Sequence, residues 1–353
     1  MIDGYGREIT YLRVSVTDRC NFRCVYCMPE EGVPPKPHAS ILRYEEITRI
    51  ARLAVSLGVQ SIRVTGGEPL VRKGITSLVN ALAGLKSAGL RDLSMTTNGS
   101  LLAPVASDLA AAGLDRVNIS LDTLRMDRFV RITRGGDLGR VLEGAGAALA
   151  AGLTPVKLNV VVTRDNVDEI LDFGFLAMST GLIVRFIELM PLGHAGVMQP
   201  GAYVSTERMK DLLGQSGSLT EVNPAGLGSG PARYYAWAPH QGVAPSPGAH
   251  DAAQVVTHKV LSHRDAGAPA LVGFITAISS HFCPGCNRLR LTADGRLAPC
   301  LWSPEEIDIG TVLRSGALDE EIVRVLRSAV AAKPLEYTAS DGISRRRMSR
   351  LGG

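Results

Sequence analysis

A chain of 353 residues, 45% of them apolar and 20% charged, carries enough core for one large barrel or two ordinary domains and is far from a disordered composition. Its formal net charge of +4 falls short of the Lys/Arg density that a duplex-binding protein needs, so a small anionic molecule is the expected partner and nucleic acid is not. No stretch reaches the roughly 18 consecutive apolar residues of a membrane span and the N-terminus has no signal-like apolar run, so the expectation is a cytoplasmic protein with no membrane partner.

The first strand candidate is "YLRVSVT" from Tyr11, where Arg13, Ser15 and Thr17 share one face and Leu12, Val14 and Val16 the other. Cys20, Cys24 and Cys27 follow directly. Next comes "YEEITRIARLAVSLG", an amphipathic helix with Ile47, Ile50, Ala51, Ala54 and Val55 on one face. A second strand, "SIRVTGG" from Ser61, runs into "GGEP" at Gly66 to Pro69. Further strands are "LSMTTNG" from Leu93, "RVNISLD" from Arg116, "PVKLNVVV" from Pro155 and "IVRFIELM" from Ile183, with helical segments between them. This alternation predicts an α/β fold, an incomplete (β/α)6 TIM-type barrel over residues 1–192.

Helices cover the outside of such a barrel, so the polar strand faces must look inward. Arg63 with Thr65, Asn118 with Ser120, and Lys157 with Asn159 repeat the pattern of the first strand. The lumen should therefore be polar and cationic, and an anion should sit in it. The second region, residues 193–353, is predicted to close the barrel. It opens on "GHAGVMQPGAY" and runs into a Gly/Pro-rich tract from Asn223 to Gly248 around short strands such as "RYYAW". After that come "VVTHKVLSH", "ALVGFITAIS", a second group of cysteines and helices such as "LDEEIVRVLRSAVAA".

All six cysteines fall into two triplets. Structural disulfides are rare in the cytoplasm, and isolated buried cysteines would not cluster, so metal or redox chemistry is the leading reading. Structural zinc and most iron–sulfur clusters take four protein ligands. Three cysteines on one short loop suggest instead a cuboidal cluster with one iron left open. In the second triplet, Cys283 and Cys286 form a C-x2-C and Cys300 follows thirteen residues later. Taken alone, that triplet reads as a zinc site completed by a nearby histidine such as His281.

The Cys-x3-Cys-x2-Cys loop, with Tyr26 just before its last cysteine, together with "GGEP" after the second strand, resembles the radical S-adenosylmethionine superfamily. "FCPGCNRLRLTADGRLAPC" resembles the C-terminal signature of the GTP 3′,8-cyclase family, the molybdenum cofactor biosynthesis A proteins, and the likeness runs from Ile9 to Gly353. The resemblance implies a 4Fe-4S cluster on Cys20, Cys24 and Cys27 whose open iron chelates S-adenosylmethionine and cleaves it to a 5′-deoxyadenosyl radical. Tyr26, Gly67, Ser120 and Met190 would contact that cofactor. It implies a second 4Fe-4S cluster on Cys283, Cys286 and Cys300 that holds the substrate base. The chemistry would be abstraction of H3′ from GTP and attack of C3′ on guanine C8, giving 3′,8-cyclo-7,8-dihydro-GTP.

The inward cations Arg13, Arg63, Lys157, Arg185, Arg288 and Arg290 suit a triphosphate, and Thr96 matches a GTP-contacting position of the family. Ser61 stands where some members carry a lysine. The terminal Gly352 and Gly353 would reach the active site and be required for activity. Implied partners are a low-potential electron donor and a cyclic pyranopterin monophosphate synthase downstream, and the resemblance admits a homodimer. No GxxxxGK[ST] loop is present, so GTP would not be held as in P-loop proteins. Two rival readings compete with this one. A peptide-modifying maturase with auxiliary clusters typically carries more C-terminal cysteines. A non-catalytic electron-transfer protein leaves GGEP and the inward cations without purpose.

Overall fold

The computed structural model describes residues 1–192, 201–223, 226–228, 230–258 and 269–336. The six expected strands form where the alternation places them: β1 (Tyr11–Ser15), β2 (Ser61–Thr65), β3 (Asp92–Thr97), β4 (Arg116–Ser120), β5 (Lys157–Val162) and β6 (Ile183–Glu188). Six more follow: β7 (Gly217–Val222), β8 (Arg233–Pro239), β9 (Ala270–Ile275), β10 (Arg288–Leu291), β11 (Arg296–Ala298) and β12 (Ile307–Asp308). All belong to one sheet in the order β12-β11-β10-β1-β2-β3-β4-β5-β6-β9-β8-β7.

The six consecutive strands pair in parallel, and the C-terminal region adds a parallel strand at each edge, β10 beside β1 and β9 beside β6. The antiparallel pairs β10–β11 and β8–β9 carry the sheet outward from there. The parallel array thus has eight strands rather than six. One cavity is lined by Arg290, Arg13, Arg63, Thr96, Ser120, Asn159, Arg185 and Ile275, one from each of these strands, so the sheet curls around it. Among the described residues β9 and β10 do not pair with each other, which leaves the array open as an incomplete barrel.

The outer face is apolar for the reason the alternation gives. Leu12, Val14, Ile62, Val64, Val117, Ile119, Leu158 and Val184 are fully buried against the helices. The helix Tyr44–Ser56 buries Ile47, Ile50, Ala51, Ala54 and Val55 in that core, and the Glu46 carboxylate at its first turn accepts the Arg43 N–H at 2.6 Å. Arg314 donates to the same carboxylate at 2.9 Å, tying the C-terminal helices to the first one. Among the described residues, no helix is long and apolar enough to cross a membrane.

Candidate active site

The first cysteine loop leaves the C-terminal end of β1 and is clamped by the loop after β2. Gly67 N–H donates to Thr17 O and Glu68 N–H to Arg19 O, both at 2.8 Å. A Cβ on Gly67 would lie 2.4 Å from Arg19 O, so glycine here serves the contact between the two loops, while its backbone also lines the cavity. From the other side, Arg23 and Val25 donate to the carbonyls of Thr133 and Ile132, and Phe22 packs edge-on against Phe129. A tight turn, with Cys27 N–H donating to Cys24 O at 2.9 Å, brings the last two cysteines together.

Three side chains that sequence reasoning left without a role build this end of the cavity. Glu68 accepts from Leu70 N–H, Thr97 O–H and Asn98 N–H at 3.0, 2.7 and 2.6 Å. Asp122, just past β4, accepts the Tyr26 hydroxyl at 2.6 Å and Val161 N–H at 2.8 Å. The hydroxyl of Tyr26 is thus committed to Asp122. Glu188, at the end of β6, accepts from Thr206, Ile278 and Ser279 N–H and fixes the segment that leads to the second cysteines. An acidic residue at, or within three residues past, the C-terminal end of an inward strand is the sequence signal that all three share.

Burial dominates the electrostatics. It pushes the Cys20 thiol up to about 12 and, with Asp122 and the other two thiols nearby, raises Cys24 well above its ordinary value. Metal binding to this triplet must therefore expel protons. Asp122 is pushed up to about 6 and Glu68 to about 7, in each case by burial against hydrogen bonds that pull the other way.

A carboxyl raised in the folded state costs stability once it ionises. Wild-type stability relative to Glu68→Gln should thus fall as pH rises from about 4.5 to about 7 and stay level above that, by up to about 3 kcal/mol. Urea melts of metal-free protein at pH 5 and pH 7.5 check this. A gap between the two proteins that ignores pH would contradict it.

Deeper in the lumen the wall carries five guanidinium groups, those of Arg13, Arg63, Arg185, Arg288 and Arg290, against two carboxylates, Asp122 and Glu188, both already hydrogen-bonded. Arg63 donates to Ser94 at 3.2 Å and lies 5.2 Å over the Tyr11 ring; burial brings it down to about 10. Arg185 donates to Asn159 at 2.9 Å and to Asn118 at 2.7 Å. Burial, then the neighbouring Arg290, drives Arg13 well below the usual arginine range.

The hydroxyls of Tyr11 and Thr96 and the Nε of Arg288 are buried with no hydrogen-bond partner among the described residues. Buried polar atoms are almost always satisfied, so this wall is shaped for a polar, anionic ligand. Lys157 behaves differently from the expectation. It is not in the cavity wall, and its ammonium is capped beneath it by Leu227 O and, at 3.4 Å, by the Tyr234 hydroxyl. Burial, then Arg185 and Arg116, push Lys157 down to about 6. Ser120 and Met190 do line the cavity, alongside all three cysteines of the first triplet.

The second triplet surrounds an adjoining cavity. Cys283 and Cys286 flank a single turn before β10, Cys300 follows β11, and all three line the space together with Lys333. Arg288 and Arg290 belong to both cavities, so they stand between the two triplets. The Cys286 thiol lies below its ordinary value because Lys333 and Arg288 outweigh the effect of burial. His281 lies 3.5 Å from Glu336 through Nε2, and among the described residues no three His, Cys, Asp or Glu side chains converge on a position for a single metal ion. Among the described residues each cavity wall presents three cysteine thiols without a fourth, a set that fits an iron–sulfur cluster with one open position. Gly352 and Gly353 lie outside the described residues.

The Radical SAM superfamily model matches residues 14–177 and the Molybdenum Cofactor Synthesis C model residues 248–339. Over 357 residues and the whole of both chains, the sequence is 48% identical to GTP 3′,8-cyclase of Heliobacterium modesticaldum and 47% identical to that of Pelotomaculum thermopropionicum. It is 48% identical over 355 residues, again covering both chains, to GTP 3′,8-cyclase of Moorella thermoacetica. Among solved structures, Streptococcus suis SuiB bound to S-adenosylmethionine superposes with a TM-score of 0.56 at 15% identity, over 91% of this chain and 68% of SuiB, a likeness of fold. With that identity over its full length, and with both cysteine triplets lining joined cavities, the chain belongs to the GTP 3′,8-cyclase family of radical SAM enzymes.

Proposed function

We propose that this enzyme cyclises GTP to 3′,8-cyclo-7,8-dihydro-GTP in molybdenum cofactor synthesis, and the observation that carries the reading is a cationic cavity with a cysteine triplet on each side. Cys20, Cys24 and Cys27 would hold a 4Fe-4S cluster with S-adenosylmethionine, and Cys283, Cys286 and Cys300 a second cluster toward the guanine base. When bound, the first cluster and S-adenosylmethionine supply a primary carbon radical able to take the ribose H3′.

The chain's own residues orient and neutralise. Arg13, Arg288 and Arg290 face the triphosphate with bidentate donors, and Thr96 and Tyr11 offer hydroxyls to the nucleoside. The apolar part of the wall, including Val161, Ile187 and Leu192, keeps water from the reacting carbons. Lys157, pushed down to about 6 and so mostly uncharged at neutral pH, supports the layer by its contacts to Leu227 O and the Tyr234 hydroxyl. With those groups bound, H3′ would pass to the adenosyl carbon, C3′ would bond to C8, and one electron and one proton would complete the base, so the product is an isomer of GTP. A low-potential donor supplies the electrons, and a cyclic pyranopterin monophosphate synthase takes the product onward. A peptide substrate would leave the guanidinium layer without a role.

Anaerobic reconstitution with [3′-²H]GTP tests the reading. A new nucleotide peak and deuterium in 5′-deoxyadenosine are expected, and 5′-deoxyadenosine free of deuterium would overturn it. Arg290→Ala should weaken GTP binding by roughly 1.5–3 kcal/mol, about ten- to a hundredfold, with Arg290→Lys in between. Calorimetry that returns wild-type affinity for the alanine variant would remove Arg290 from the GTP site.

A further inference from the structure

Lys333 lies just past the end of the helix Asp319–Ala331, where its N–H donates to Val330 O and Pro334 stops the helix from continuing. The residue is 4% exposed. The ammonium donates to Arg288 O and to Pro299 O, each at 2.9 Å. Arg288 is two residues past Cys286, and Pro299 immediately precedes Cys300. One nitrogen therefore spans the two chain segments that deliver the second triplet, and its charge favours the ionised Cys286 thiol.

Among the described residues Lys333 forms no ion pair, although a buried ammonium normally requires a counter-charge. Arg7 makes a useful contrast. It holds the same loop by donating to Cys283 O at 2.9 Å, but its own charge is met by Asp3 at 2.6 Å. Arg288 and Arg290 also face this space, from the side shared with the main cavity. Among the described residues, the groups placed to balance Lys333 are the cysteine sulfurs beside it and what they hold.

We propose that Lys333 is a positioning residue of the second cysteine site, which fixes the separation of its two arms and whose positive charge stabilises the reduced, more negative state of the cluster bound there. The inference rests on the reading of this triplet as cluster ligands. A reduced cluster gains one negative charge at constant composition, and a fixed cation in a low-dielectric site favours that gain.

The test uses the full-length chain carrying Cys20→Ser, Cys24→Ser and Cys27→Ser, so that only the second site can be loaded, and adds Lys333→Met, Lys333→Gln or Lys333→Arg. After anaerobic reconstitution, iron per chain and the midpoint potential are read by iron assay and by redox titration with electron paramagnetic resonance. The background chain should retain one cluster. Lys333→Met should lose iron on desalting and shift the oxidised-to-reduced ratio at least tenfold toward oxidised, about 59 mV more negative for one electron. Lys333→Arg should restore most of both.

Background and Lys333→Met chains with equal iron and equal potential would overturn the role of Lys333 and leave the cluster in place. A background chain without iron would overturn the second cluster itself, and the proposal with it. If Lys333→Met loses its circular dichroism, Lys333→Gln, which keeps amide donors but no charge, decides the matter. A shifted potential in that variant supports the proposal, and an unshifted one rejects it.

Discussion

Cys24→Ala is expected to abolish both S-adenosylmethionine cleavage and GTP cyclisation while leaving the metal-free protein folded. Burial, then Asp122, Cys27 and Cys20, raise the Cys24 thiol well above its ordinary value. Among the described residues only three cysteine thiols line its cavity, so its loss leaves two, too few to hold a cluster in a defined place. The fold itself loses little, since a thiol-to-methyl change in a half-buried loop costs on the order of 1 kcal/mol. Cys286→Ala separates the two sites: cyclised product should disappear while some uncoupled cofactor cleavage continues. Iron assay, 5′-deoxyadenosine chromatography and melts of the metal-free variants give the comparison. Continued cofactor cleavage by Cys24→Ala would mean that the first triplet is not the radical-generating site.

The parts of this architecture that were legible in the sequence are those that obey a short period. Alternation along Tyr11–Ser15 and Ser61–Thr65 places Arg13 and Arg63 in the lumen because a strand turns its side chains to opposite faces. The two outer parallel strands were not legible as strands. β9 and β10 come from a region without regular βα spacing, and whether they pair with β6 and β1 depends on contacts almost a hundred residues or more away in the chain. The pattern was nonetheless present in "RLRL", whose leucines are buried outward while its arginines line the cavity.

Lys157 fails the same rule for a physical reason. It sits on the inward face at the start of β5, but the chain from β7 to β8 lays Leu227 O and Tyr234 over its ammonium, a tertiary contact that no local period encodes. The roles of Glu68 and Asp122 were hidden similarly. Each is a carboxylate used to fix loops, and most of the donors it meets lie on distant parts of the chain.

Gly67→Ala is expected to cripple the enzyme through the loop rather than through the cofactor. The added Cβ would lie 2.4 Å from Arg19 O and 2.7 Å from Arg19 C, and both are backbone atoms that cannot rotate aside. Arg19 adjoins Cys20, so relief of the clash must move the cysteine loop or break the bonds from Gly67 N–H to Thr17 O and from Glu68 N–H to Arg19 O. Overpacking of this kind costs about 1–3 kcal/mol, and a displacement of about 1 Å at a reacting centre costs about a hundredfold in rate. The metal-free variant should therefore melt earlier in urea, and the reconstituted one should lose iron and cofactor cleavage together.

Gly84→Ala is the control. That residue has φ −56°, and a Cβ there meets nothing within 4 Å, so alanine should leave stability unchanged or raise it by up to about 1 kcal/mol. If glycine at position 67 served only to let the methionyl group approach, the metal-free melt of Gly67→Ala would match wild type and only S-adenosylmethionine affinity would fall. Loop packing requires both to fall, since the residue that crowds the cofactor's neighbourhood is the one that holds Cys20 in place.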